Sequence, residues 1–277
     1  MTMMKTTFDH NPHRTGMARL VDGISYSAIG GENTTLTLLR PWEEETRYPL
    51  VVFVQGSGWT TPCLGFEIPQ LSHLAQQGYI IATVSHRSST DGNPFPAFLQ
   101  DVKTAIRFLR AHAEDYSIDP ERVGIYGTSS GGNTALLIAA TGDDPRYETP
   151  EYAGVSDAVN CVVSCFGPTD LTIMADHTGS PNPIFAALIG GNDPQTVLRE
   201  ISPYCHIRED TPFPPCLLAH GTADPIVPYA QATHMADRLN ACGKEVHLLT
   251  VTDAPHEDTF WSQPLIDAIY AFIKAHI

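Results

Sequence analysis

Basic residues are scarce in this chain. Its 277 residues include 16 Lys and Arg against 31 Asp and Glu, a formal charge of −15 with histidine neutral. That argues against nucleic acid or an anionic membrane as partner, since both are negative and are bound through basic patches. Charged residues of both signs make up only 17%, below the ~25% of an average soluble domain. Long apolar runs are missing too. Nowhere do ~18 uncharged apolar residues follow one another, so no membrane span is expected. The opening segment, MTMMKTTFDHNPHRTGMARL, lacks the continuous apolar stretch of a secretory signal. Cysteine is limited to Cys63, Cys161, Cys165, Cys205, Cys216 and Cys242. Disulfide frameworks belong mainly to short secreted chains. Cys161 and Cys165, inside the apolar run VNCVVSCFG, read as buried free thiols. No convergent His or Cys spacing suits a metal ion. The expectation is a reduced, cytoplasmic protein without metal.

What is present is apolar residues and turn formers. Hydrophobic residues make up 42%, with 21 glycines and 22 prolines. This composition supports a large core and many tight turns. Short apolar runs predict strands at 49–55, 80–85, 123–126, 159–165, 216–220 and 246–251. Runs apolar on both faces suit a parallel sheet covered on both sides. Between them, Phe98, Val102, Ala105, Ile106 and Leu109 recur at helical spacing, and further helices are expected over 132–141, 229–242 and 262–276. Strands alternating with helices define α/β architecture. The first ~45 residues alternate more sharply and predict two antiparallel edge strands. Residues 168–207 are rich in Pro and Gly and long for a connection. They predict a short lid or cap, with an ordinary crossover helix as the plainer alternative. Strands and candidate site residues run from end to end, so 1–277 reads as one domain.

The chemistry concentrates in VGIYGTSSGG. It holds Gly127-x-Ser129-x-Gly131 between a predicted strand and a predicted helix, the context of a nucleophile elbow. A serine there needs a base and an acid. His256 leaves the last strand in the loop TDAPH, whereas His247 lies within that strand and His234 on a helix. Asp224 follows a strand end in HGTADPIVP; the order Ser129, Asp224, His256, with gaps of 95 and 32 positions, suits the triad. Asp170, in FGPTD, is the competing acid, and a turn cap is the plain alternative for Asp224. His220 is a candidate supporting group. For the oxyanion, the turn Gln55-Gly56-Ser57-Gly58-Trp59 offers the N–H groups of Gly56 and Ser57, and Ser130 offers the third. Trp59 is the candidate aromatic wall for substrate, ahead of Phe66, Phe95 and Phe98.

The texts QGSGW, IDPERVGIYGTSSGG, FGPTDL, SPYCHI and HGTADPIVP, with the APH loop, carry a resemblance that extends over about four-fifths of the chain. From about Tyr48 onward it resembles an α/β-hydrolase of the hormone-sensitive-lipase-like esterase group. Within that group it is most similar to small acetyl-xylan and feruloyl esterases. The resemblance implies a mostly parallel sheet of about eight strands with helices on both faces. It also implies a serine carboxylesterase without cofactor, acting on short-chain or aromatic acyl esters. The expected partner is a small-molecule or oligosaccharide ester; homo-oligomerisation stays open. The chain departs from the pattern at three places: Gln55 and Ser57 stand where the group has His and the middle Gly, His86 precedes Arg87 where Tyr is frequent, and Glu257 and Asp258 follow His256 where Gly is usual. An amidase or peptidase on the same triad, and a non-catalytic binding module on the same fold, are the alternatives.

Overall fold

The computed structural model describes residues 3–12, 14–43, 46–174 and 183–277. Eight strands form one sheet: β1 (Ala18–Ser25), β2 (Thr35–Pro41), β3 (Tyr48–Val54), β4 (Ile80–Val84), β5 (Ile118–Thr128), β6 (Cys161–Cys165), β7 (Cys216–Gly221) and β8 (Val246–Val251). Their order is β1-β2-β4-β3-β5-β6-β7-β8. The β1–β2 and β2–β4 pairs are antiparallel and every pair from β4 to β8 is parallel. Of the two amino-terminal strands, β1 alone is an edge. β2 lies between β1 and β4 and is buried from Leu36 to Pro41, the polar Thr37 and Arg40 included.

Side-chain alternation divides the core. Leu50, Val52 and Val54 of β3 pack into one layer, with α2 (Ala97–Ala111), α4 (Ser130–Ala140) and α9 (Ala230–Ala241). Val51 and Phe53 point the other way, onto α1 (Ile68–Gln76) and α10 (Gln263–His276). Helices therefore cover both faces, as the strand composition requires. The remaining short helix on the first layer, α3 (Ala113–Tyr116), leads into β5.

The segment 168–207 forms α5 (Leu171–Met174), α6 (Pro183–Ile189), α7 (Pro194–Glu200) and α8 (Pro203–His206). Its part at 175–182 lies outside the described residues. Asn133, one turn into α4, fastens both ends of the segment: its Nδ2 donates to Pro168 O and to Ile201 O, each at 2.9 Å. From the insertion, Leu188 O accepts the Phe95 N–H at 3.0 Å. All six cysteines are free thiols. Among the described residues no helix is long and apolar enough to cross a membrane.

Candidate active site

Ser129 sits at the end of β5, immediately before α4, at φ 51° and ψ −123°. A non-glycine residue resists this backbone, so the surroundings must hold it. They do so through the Ser129 N–H, which donates to Cys165 O at 2.9 Å. The turn closes so tightly that a Cβ at Gly127 would lie 2.1 Å from Gly131 O. The glycines on either side of the serine thus follow from close backbone approach, as the motif implies.

The elbow brings Ser129 to His256. Ser129 Oγ and His256 Nε2 are 3.0 Å apart, and His256 Nδ1 lies 2.7 Å from Asp224 Oδ2. A carboxylate only accepts, so Nδ1 carries the proton and Nε2 is left to accept from the serine hydroxyl. His256 is further positioned by Phe166, whose ring meets it edge-on at 4.6 Å between centroids.

Asp224 is buried, at 8% exposure. Its Oδ1 accepts the N–H groups of Ile226 and Val227 at 2.8 and 2.9 Å. His220 Nε2 lies 2.8 Å from Val227 O and 3.2 Å from Asp224 Oδ2. Burial pushes the Asp224 carboxyl up. The hydrogen bonds from His220, His256 and the two backbone amides outweigh it and hold the group well below the usual carboxylate range. The competing acid, Asp170, is elsewhere. Its Oδ1 accepts the Thr172 N–H at 3.0 Å, which makes it a turn cap, and its Oδ2 lies 3.6 Å from His234.

In the oxyanion turn both expected donors bond to hydroxyls. The Gly56 N–H donates to the buried Thr128 hydroxyl at 2.9 Å, which holds the turn to β5. Glycine is needed there for space: a Cβ would lie 2.6 Å from Ser129 Cβ and 2.8 Å from Thr128 O. The Ser57 N–H donates to Ser130 Oγ at 2.9 Å. Ser57 is free of backbone strain, because the positive φ values fall on Gly58, at 63°, and Trp59, at 57°. This is why serine fits where the related pattern has glycine. Gln55 braces the turn, since its Oε1 accepts the Cys63 N–H at 2.6 Å. Ser130 begins α4, and its N–H belongs to the first turn, where amides lack intrahelical acceptors.

Trp59 also requires correction. It is 5% exposed and its ring packs 6.2 Å from Phe98 in the core. The indole is turned inward, so it forms no open wall. Phe95 and Phe98 are likewise buried, whereas Phe66 is exposed. His86 is buried against Phe98, and the neighbouring Arg87 grips Asp101 of α2 through Nη2 at 2.7 Å and Nε at 2.9 Å. The His-Arg pair thus ties β4 to α2.

Sheet order, elbow and triad define an α/β-hydrolase, and comparison with known structures agrees. A carbohydrate esterase from gut microbiota superposes with a TM-score of 0.83 at 26% identity, over 96% of this chain and 99% of that one. A bifunctional GH43-CE protein of Bacteroides eggerthii gives 0.83 at 29% identity, over 93% of this chain and 35% of that one. Residues 36–239 match the BD-FAE family, and the chain belongs to it. A probable carboxylic ester hydrolase of Mycobacterium tuberculosis, LipM, is 32% identical over 231 residues, 80% of this chain and 52% of the relative. The chain spans about half the length of the curated relatives it matches.

Proposed function

We propose that this protein is a serine carboxylesterase that removes short-chain or aromatic acyl groups, of acetyl or feruloyl type, from carbohydrates. The observation that carries the reading is the unbroken chain Ser129 Oγ–His256–Asp224, with contacts of 3.0 and 2.7 Å. His256 Nε2 takes the hydroxyl proton as Ser129 Oγ attacks the ester carbonyl. Asp224 keeps the proton on Nδ1 and stabilises the imidazolium. The tetrahedral oxyanion is met by the Ser130 N–H, reinforced by the positive end of α4. The Gly56 and Ser57 N–H groups of the facing turn join it on release from the Thr128 and Ser130 hydroxyls. Collapse expels the alcohol, which takes its proton from His256. Water, deprotonated by the same histidine, then attacks the acyl-serine and releases the acid and free Ser129.

The carbohydrate part of the reading is supported by the gut-microbiota carbohydrate esterase and the GH43-CE protein, both of which share this fold over more than nine-tenths of the chain. The test is a kcat/KM series over acetyl, butyryl, longer acyl and feruloyl esters and an acetylated oligosaccharide, run on wild type and Ser129→Ala. Wild type is expected to favour acetyl or feruloyl esters and to deacylate the oligosaccharide, and Ser129→Ala to be inactive while folded. Near-normal turnover by Ser129→Ala would overturn the mechanism. A preference for long acyl chains, with the oligosaccharide untouched, would overturn the substrate class.

A further inference from the structure

A concavity of about 310 Å³ opens beside the His256 loop, between the amino terminus of α1 and the helix α10. None of the triad residues lines it. Its lining includes Phe66, Glu67, Tyr126, Glu257, Trp261 and Tyr270, and contains no lysine, arginine or histidine. Glu67 is 8% exposed, and its Oε1 is buried without a hydrogen-bond partner. A buried carboxyl without a donor is costly, and native proteins seldom keep one without use. The second carboxylate is held in place: Glu257 has φ 64° and accepts the Trp261 indole N–H at 2.7 Å.

A cavity lined by both carboxylates and aromatic rings complements a cation with apolar substituents. Aromatic faces attract ammonium groups, most strongly where water is displaced. Among the described residues no three His, Cys, Asp or Glu side chains are arranged to hold a metal ion. A neutral polyol would satisfy Glu67 but would leave the second negative group, Glu257, without a counter-charge. We propose that this pocket binds an organic ammonium compound, with its charge against Glu67 and Glu257 and its carbon substituents against Trp261, Tyr126 and Phe66.

Protonation supports the assignment. Burial, and then the charge of Glu257, push the Glu67 carboxyl up to about 8. The groups facing it carry no positive charge. They are Glu257 and Asp258 from the loop after β8, Tyr126 from β5, Cys165 from β6 and Tyr270 from α10. Burial raises Tyr126, Cys165 and Tyr270 as well, so all three stay neutral at ordinary pH. An arriving cation favours ionised Glu67 and expels its proton to the buffer.

The test is calorimetric titration of the whole protein with choline and with its neutral isostere 3,3-dimethylbutan-1-ol, between pH 6 and 9. The choline Kd is expected to fall roughly tenfold per pH unit up to 8 and then level off, with close to one proton released at pH 7. The neutral isostere should bind at least about tenfold more weakly and without pH dependence. Glu67→Gln should flatten the choline profile. Phe66→Ala, at an exposed position, should weaken binding several-fold and keep the slope. The proposal is overturned by the absence of saturable binding at millimolar choline, by equal binding of the isostere, or by an unchanged pH slope in Glu67→Gln.

Discussion

His220 Nε2 lies 3.2 Å from Asp224 Oδ2, the same oxygen that His256 Nδ1 approaches to 2.7 Å. Two imidazoles thus converge on one carboxylate atom, and only one of them reaches the serine. Because Val227 O only accepts, the His220 Nε2 atom carries hydrogen and supplies a donor to the acid. His220→Leu would leave Asp224 short of that donor inside the protein, at a cost of about 1–3 kcal/mol. The expected result is a fall in kcat of roughly tenfold with KM nearly unchanged. His220→Gln, which keeps an N–H, should recover part of the loss. Stopped-flow acylation with an aryl acetate measures both.

Asp224→Asn tests the tautomer. An amide can donate to His256 Nδ1 and so favours the proton on Nε2, which blocks acceptance from Ser129. A loss of ~10⁴-fold in kcat is expected, with the fold retained. Circular dichroism and kcat on one preparation check both halves. The depressed carboxyl of Asp224 also has a stability consequence. The unfolded chain binds this proton at a higher pH than the native state does. Its stabilising share is therefore present above about pH 4 and disappears as pH falls further.

Gly56→Ala should damage both catalysis and stability. The new methyl would press on Ser129 Cβ and Thr128 O, at 2.6 and 2.8 Å, and neither side can yield without moving the elbow. A drop in kcat of ~10²-fold or more is expected, with a lower Tm. Wild-type kcat in this variant would remove the close approach from the constraints on the site.

Glu67 has the opposite pH dependence from Asp224. The folded protein keeps its proton up to about pH 8, whereas an unfolded glutamate releases it near ~4.3. Stability attributable to this side chain therefore falls as pH rises between those values. Glu67→Gln should raise Tm at pH 7.5 and leave it nearly unchanged at pH 4.5. Differential scanning fluorimetry at the two pH values decides it.

The acid product of ester hydrolysis is an anion and the protein carries −15, with Glu257 and Asp258 directly after His256. Succinyl esters should therefore be turned over more slowly than acetyl esters at low ionic strength, and the gap should narrow with added salt as the charges are screened. Matched kcat/KM values at two salt concentrations test this.

Much of the architecture is legible because β4, β6, β7 and β8 are short apolar runs bounded by turn residues, and the structure places them within two residues of the expected positions at each end. For β5 the apolar pattern covers only 123–126, yet the strand begins at Ile118. Its first half, IDPER, carries Pro and three charges and pairs through an irregular register, so periodicity does not betray it. Helix α1 escapes the same reading because its buried residues number only Leu71, Leu74 and Ala75, too few to make a repeat. In the site, the Gly127-x-Ser129-x-Gly131 elbow, chain order and strand ends point to the triad, with Asp170 left as a second candidate acid. They do not suffice for the oxyanion turn, because which N–H stays available depends on the hydroxyls of Thr128 and Ser130 across the sheet, and nothing local to QGSGW reveals them. Trp59 misleads for a similar reason: it is buried against Phe98, about forty residues further along the chain, and nothing in QGSGW marks that partner.

The double hold of Asn133 on Pro168 and Ile201 has a bearing on how such proteins diversify. One amide gathers Pro168 and Ile201 at a single point on the helix that follows the nucleophile. Between them, Leu171, Leu188 and Val197 are buried in the core, and Leu188 O holds the Phe95 N–H. A replacement span of another length, built to admit a bulkier alcohol, must therefore keep those seats as well as the asparagine and its two carbonyl partners.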